Sequence, residues 1–379
     1  MYLPQVDGNA TAILQPLPLH QLDSESLKVL GWNLPSEHLH LVHPHWRGYP
    51  APPFFYHLLL VLIYFALMVT SAFGNGIVIY IFTTSKSLRT PSNVLIVNLA
   101  IFDFIMMLEM PMFLANSCFE RIVGFELGCN IYAALGSVSG IGAAITNAMI
   151  AYDRYKAISS PLDGRLNFVQ AGLLVWVTWL WTMPFTIFPF ANIWGRYVPE
   201  GFLTTCSFDY LTDDNDTRGF VACIFVWAYL LPMILIAFFY ARLFKHVCAH
   251  EKMLREQAKK MNVKSLSANQ DQNATSVEIR IAKAAFTIFF LFICAWTPYA
   301  IVTLLGAFGD KRLLTPAATM IPAIACKIVS CMDPWVYAIS HPRYRMELEK
   351  RLPWIGIRET SVSDNKSVCT EGAETSTTA

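Results

Sequence analysis

A lysine stands near the centre of the last long apolar stretch of this chain, in Ala323-Ile324-Ala325-Cys326-Lys327-Ile328-Val329. It lies about 12 residues, or roughly 18 Å, below the outer end of that stretch, too deep for an ammonium to reach water along its own stem. A charge held there costs roughly 2.5–3.5 kcal/mol on membrane-insertion scales, so a partner or a reaction must compensate. Desolvation favours the neutral amine, a nucleophile towards an aldehyde, which would make Lys327 a Schiff-base lysine. Alternatively, the ammonium pairs with Glu109 or another acid and ties two spans together. On the residues alone these two chemistries stand level.

The elements that must position Lys327 are membrane helices. The chain has 379 residues, of which 55% are hydrophobic and only 15% charged, and its mean hydropathy is +0.43. Those values lie outside the soluble globular range. The net charge of +1 says nothing about nucleic acid or acidic substrates, so the placement of the charges is the informative quantity, and no nucleic-acid partner is expected. Seven segments can cross a hydrocarbon core about 30 Å thick, at about 20 residues each: 56–82, 92–115, 126–153, 169–190, 219–241, 284–308 and 315–340. The third is rich in Gly, Ala and Ser and reads as a tightly packed central helix. Within these spans the ionisable groups are Asp103 and Glu109 in span two and Lys327 and Asp333 in span seven, with Glu126 and Asp153 at the ends of span three.

Basic residues concentrate between spans five and six (Lys245, Lys252, Arg255, Lys259, Lys260, Lys264, Arg280, Lys283) and after span seven (Arg343, Arg345, Lys350, Arg351). The positive-inside rule therefore puts the N-terminus outside and the C-terminus in the cytosol. This gives an extracellular tail over 1–55, a seven-helix bundle over 56–340, a membrane-surface helix over 341–352 and a cytoplasmic tail over 353–379. No removable signal peptide is read at the N-terminus. Asn9 and Asn215 head glycosylation sequons on the outer side, Asn9 being the better site. Of nine cysteines, Cys118, Cys129 and Cys206 face an oxidising exterior. A Cys129–Cys206 bridge would tie the second outer loop over the bundle mouth. His38, His40, His43 and His45 cluster outside; zinc binding is conceivable there, but a solvated tail explains them as well.

Motifs in order along the spans resemble the rhodopsin-like G-protein-coupled receptors. Gly74-Asn75 lies in span one and Asn98-Leu99-Ala100-Ile101-Phe102-Asp103 in span two. Asp153-Arg154-Tyr155 ends span three, Ala295-Trp296-Thr297-Pro298-Tyr299 sits in span six, and Asp333-Pro334-Trp335-Val336-Tyr337 closes span seven. Within that family, a lysine six residues before the Asp-Pro-x-x-Tyr motif marks the opsins, and Lys327 holds that place. The segment from His250 to Val263 is similar to the third cytoplasmic loop of arthropod visual opsins. The chain is thus identified as resembling the insect short-wavelength, blue-sensitive visual opsins.

The resemblance implies 11-cis retinal, or 3-hydroxyretinal, bound to Lys327 as a Schiff base whose positive charge needs an acid. The vertebrate counterion position, three residues after the span-three cysteine, is Tyr132 here and cannot carry that charge. Glu200 matches the outer-loop glutamate of the invertebrate branch and is the expected counterion, with Tyr132 as a hydrogen-bonding neighbour. Glu109 is the second candidate; an acid there goes with visible rather than ultraviolet absorption. A peripheral acid reaching headgroups or water is the bland reading of Glu109. Trp296 would pack on the chromophore, Tyr299 beside it is a further pocket residue, and Pro298 weakens span six between them.

For signalling, the resemblance implies a cytosolic lock of Asp153, Arg154 and Glu278 that opens as spans three and six part. Tyr155, Asp103, Asp333, Pro334 and Tyr337 complete the switch. Asp103, Asp333 and Asn75 could hold a sodium ion or a water chain, alternatives the residues leave open. The expected partners are a heterotrimeric G protein of the Gq type, a receptor kinase and arrestin acting on a Ser/Thr-rich tail, and membrane lipid under an amphipathic helix from His341 to Leu352. The expected site is the photoreceptor rhabdomere membrane, and no catalytic residues are expected. A retinal photoisomerase would keep Lys327 but should lose Asp153-Arg154-Tyr155 and the basic third loop, and both are present. A receptor for a diffusible ligand would use Lys327 only as an ion pair. A transporter would show repeats, and none are found.

Overall fold

In a hydrocarbon core every backbone N–H and C=O must be satisfied within its own segment, and each apolar stretch of this chain does so as a helix. The computed structural model describes residues 28–160, 163–261 and 269–357. Its seven spanning helices are Phe54–Thr84, Pro91–Cys118, Phe125–Ser159, Phe168–Phe190, Asn215–Ala249, Ala282–Phe308 and Pro316–Val336, called spans one to seven. Boundaries differ from the sequence reading by a turn or two, because helices continue past the apolar window until a cap stops them. Asn167 starts span four with a reciprocal capping box to Gln170, and Thr90 and Asp214 cap spans two and five.

Burial orders the bundle. Span three has 67% of its apolar window buried against 22% for span one, so span three is the axis and span one a lipid-facing wall. Its small residues allow that position. A Cβ on Gly140 would lie 2.4 Å from the Trp296 ring, so only glycine lets spans three and six meet there.

Two irregularities shape the interior. Span two breaks: its first helix, Pro91–Leu108, stops at Glu109 and a second, Met110–Cys118, restarts with Pro111 in its first turn. Proline has no N–H to continue the ladder, which accounts for the interruption. Span five carries a π-turn over Phe225–Leu230, which brings Phe225 and Tyr229 to the cavity described below.

The outer mouth is covered. Strands β1 (Tyr197–Glu200) and β2 (Thr205–Phe208) form an antiparallel hairpin with Glu200 opposite Thr205. The Cys129–Cys206 disulfide pins that hairpin to span three, with Cα atoms 5.4 Å apart. Arg196 clasps Asp209 at 2.7 Å beside it, and the carboxylate's bonds to Thr212, Leu211 and Arg196 hold it below the usual range despite its burial.

Over the hairpin sits the segment 28–53, which is not the irregular tail read from sequence. Trp46 and Val42 are fully buried in a cluster with Leu203, Tyr210 and Leu314. Its histidines serve packing: His45 Nε2 meets the Leu314 carbonyl at 2.7 Å, the His43 ring accepts from the His45 N–H, and His38 stacks on Phe125. Among the described residues no three His, Cys, Asp or Glu side chains are grouped to hold a metal. Asn9 and the tail beyond residue 357 lie outside the described residues.

After span seven, Pro342–Arg351 forms the surface helix, with Tyr344 and Leu348 buried. Arg351 donates to Thr84 at 2.6 Å and Ser85 at 2.9 Å, and Ser85 donates to Glu347 at 3.0 Å, clamping the helix under span one.

Candidate functional site

Glu109 stands at the break in span two and is 0% exposed. Its Oε1 lies 2.7 Å from Lys327 Nζ. The bland reading of Glu109 as a peripheral acid is therefore corrected, since its carboxylate is buried against the lysine of span seven. Gly136 makes the room, since a Cβ there would come within 2.9 Å of Glu109 Oε2. The stem of Lys327 is buried, and its ammonium faces the Tyr132 ring, with 6.0 Å to the centroid.

Glu200 is also buried but does not touch Lys327. Tyr210 donates to its Oε2 at 2.7 Å and Tyr299 to its Oε1 at 3.3 Å. Burial pushes this carboxyl above the usual range, against the hydrogen bonds from Tyr210 and Ser207. The sequence reading put Glu200 first as partner of the Lys327 charge; in the ligand-free geometry the adjacent acid is Glu109. The Tyr132 hydroxyl, expected as a hydrogen-bonding neighbour, has no partner among the described residues.

A cavity opens at the amine, lined by spans two, three, five, six and seven and by the hairpin. Lys327, Glu109, Tyr132 and Glu200 lie on its walls with Trp296, Tyr299, Phe208, Phe292, Tyr229 and Gly140. Trp296 stacks on Phe292 at 5.5 Å and meets Tyr299 edge-on at 6.4 Å. Thr297, next to Pro298, donates to the Ile293 carbonyl at 2.6 Å and pairs with the Tyr229 hydroxyl, also at 2.6 Å. The walls are thus mostly apolar and aromatic, with one cation and two acids at one end. Such a lining suits a long apolar molecule carrying one reactive or charged terminus.

At the end of the bundle away from the hairpin Asp153 and Arg154 form a buried ion pair, and Ser92 donates to Asp153 Oδ1 at 2.8 Å. Tyr155 stands beside Phe239, 6.0 Å between centroids. The side chains of Glu278 and Tyr337 lie outside the described residues. Midway along the bundle, Asp103 sits against Ser330 and Asp333. Asn75 donates to the Ser330 carbonyl at 2.8 Å, and Pro334 packs against Gly74.

Sequence reasoning missed Tyr210, Tyr229, Gly136 and Gly140. The glycine pair had a signal, since residues four apart on span three share one face; the tyrosines had none in a single sequence.

With this geometry established, the chain can be compared with known proteins. The family described as "7 transmembrane receptor (rhodopsin family)" matches residues 74–337. Opsin-3 of Manduca sexta is 67% identical over 347 residues, covering 91% of this chain and 90% of that protein. The blue-sensitive opsin of Apis mellifera is 59% identical over 349 residues, covering 92% of each. The crystal structure of squid rhodopsin superposes with a TM-score of 0.79 at 32% identity, covering 84% of this chain and 92% of that one. The chain belongs to the rhodopsin family of seven-transmembrane receptors and, within it, to the insect opsins. It is accordingly a multi-pass membrane protein of a receptor family, and its relatives are opsins.

Proposed function

We propose that this protein is a light receptor that binds 11-cis retinal, or its 3-hydroxy form, on Lys327 and activates a Gq-type G protein. The observation that carries the reading is a buried amine, paired with an acid, on the wall of a mostly apolar and aromatic cavity. A receptor for a diffusible ligand would share both the cavity and the Lys327–Glu109 pair, so it is the 67% and 59% identity to opsins that favours retinal over that reading. Retinal supplies the light-driven change of shape and, as a protonated Schiff base, a cation in place of the free ammonium. The chain's own residues do the rest.

Glu109 is already within 2.7 Å of the lysine nitrogen, which supports it as the near counterion. Glu200, held by Tyr210 and Tyr299, is the more distant acid. A carboxylate beside the nitrogen stabilises charge localised there, which widens the excitation gap and favours blue absorption; the Apis relative's name accords with this. Trp296 lines the cavity beside the Pro298 break, so a shape change against it bears on the weakest point of span six. At the cytosolic end the Asp153–Arg154 pair holds the inactive arrangement, with Glu278 as its further acid, until the helices part.

Basic loops inside support an outer N-terminus, and a kinase and arrestin are the partners proposed for the Ser/Thr-rich tail. The visual relatives support placement in the rhabdomere membrane. A photoisomerase remains disfavoured by the intact Asp153-Arg154-Tyr155 motif. The test is an absorption spectrum of membranes reconstituted with 11-cis retinal: a visible band that shifts on illumination is expected from the parent protein and not from Lys327→Ala. Equal spectra would refute the assignment.

A further inference from the structure

Tyr64 lies in span one, outside the cavity lining. It is 0% exposed, and its ring stacks on Phe113 with centroids 3.7 Å apart and 15° between planes, so packing fixes where its hydroxyl points. That hydroxyl has no hydrogen-bond partner among the described residues, and neither do the Tyr132 hydroxyl and Glu109 Oε2. The three groups are neighbours. Tyr64 and Tyr132 share one cluster with Met110 and Phe113, the residues that follow Glu109. Both hydroxyls feel the Glu109 carboxylate, and Tyr132 feels Tyr64. Cys326 and Glu200 also lie within electrostatic reach of Tyr64, and Glu200 and Tyr299 within reach of Tyr132.

Buried hydroxyls and carboxylates are matched by protein or by ordered water. A buried water needs about two to four polar partners, which two hydroxyls and a carboxylate oxygen provide. We propose that Tyr64, Tyr132 and Glu109 form a buried water-binding site, and that Tyr64 is a positioning residue which, through that water, keeps the Glu109 carboxylate ionised beside Lys327. Hydrogen bonds delivered to a carboxylate favour its charged form, so the site strengthens the counterion rather than merely filling space. The water site stands on the burial, shared packing and unpartnered polar atoms of these side chains; its effect on the chromophore rests on the function proposed above.

Two measurements separate these layers. Radiolytic hydroxyl-radical footprinting of the ligand-free full-length protein reports side chains beside bound water. Tyr64 should be oxidised several-fold faster than Tyr197, which is buried but bonded to Ser137, and Tyr132→Phe should slow it. Equal rates at Tyr64 and Tyr197 would overturn the site. In the pigment, Tyr64→Phe should lower the apparent Schiff-base pKa by about one unit, tenfold in proton concentration, and this effect should vanish in a Glu109→Gln background. No shift, or one undiminished by Glu109→Gln, would overturn the positioning role. A parent protein that forms no pigment would instead break the retinal reading, with footprinting still deciding the site.

Discussion

The two ends of the bundle are built differently. Outside, a disulfide, a strand hairpin and a buried N-terminal segment stack over the Lys327 cavity, with Trp46 and Val42 wholly enclosed. Inside, the Asp153–Arg154 pair on span three is braced by Ser92 of span two, and no disulfide crosses that end among the described residues. Under the function proposed above, a strain generated at Lys327 would meet a fixed wall on the hairpin side and a compliant polar lock on the other, an asymmetry that would bias the response towards the polar end.

Removing the outer wall should have the largest effect. Cys206→Ser opens a loop 77 residues long and should cost about 2–5 kcal/mol, seen as a collapse of folded yield and of melting temperature in detergent; an unchanged melt would mean that the hairpin and its cover hold without the bridge. Next come the two acids. Glu109→Gln should lower the apparent Schiff-base pKa by about two units and Glu200→Gln by less than one, since Glu109 alone lies against the lysine nitrogen. A spectrophotometric titration giving the reverse order would return the counterion role to Glu200. At the inner end, Asp153→Asn should raise nucleotide exchange in the dark on the order of fivefold while leaving the absorption band in place. A shifted band would mean that the two ends are not separable as described.

Much of this was legible in the sequence, for physical reasons that differ between residues. Span count and the depth of Lys327 follow from hydrocarbon thickness and the cost of a buried charge, which depend on composition alone. The Cys129–Cys206 bridge followed from which thiols face outside. The burial of Glu109 against Lys327 did not, because it depends on how spans two and seven pack together. Tyr210 on Glu200 and the folding of residues 28–53 were hidden for the same reason: both depend on contacts between segments far apart in the chain, such as His45 with Leu314.

The whole account turns on where a chromophore attaches. Borohydride reduction of the illuminated pigment, followed by proteolysis and mass spectrometry, should recover a retinyl group on the peptide containing Lys327 and on no other. Recovery on a different lysine, or of unmodified Lys327 from a preparation with a full visible band, would contradict it.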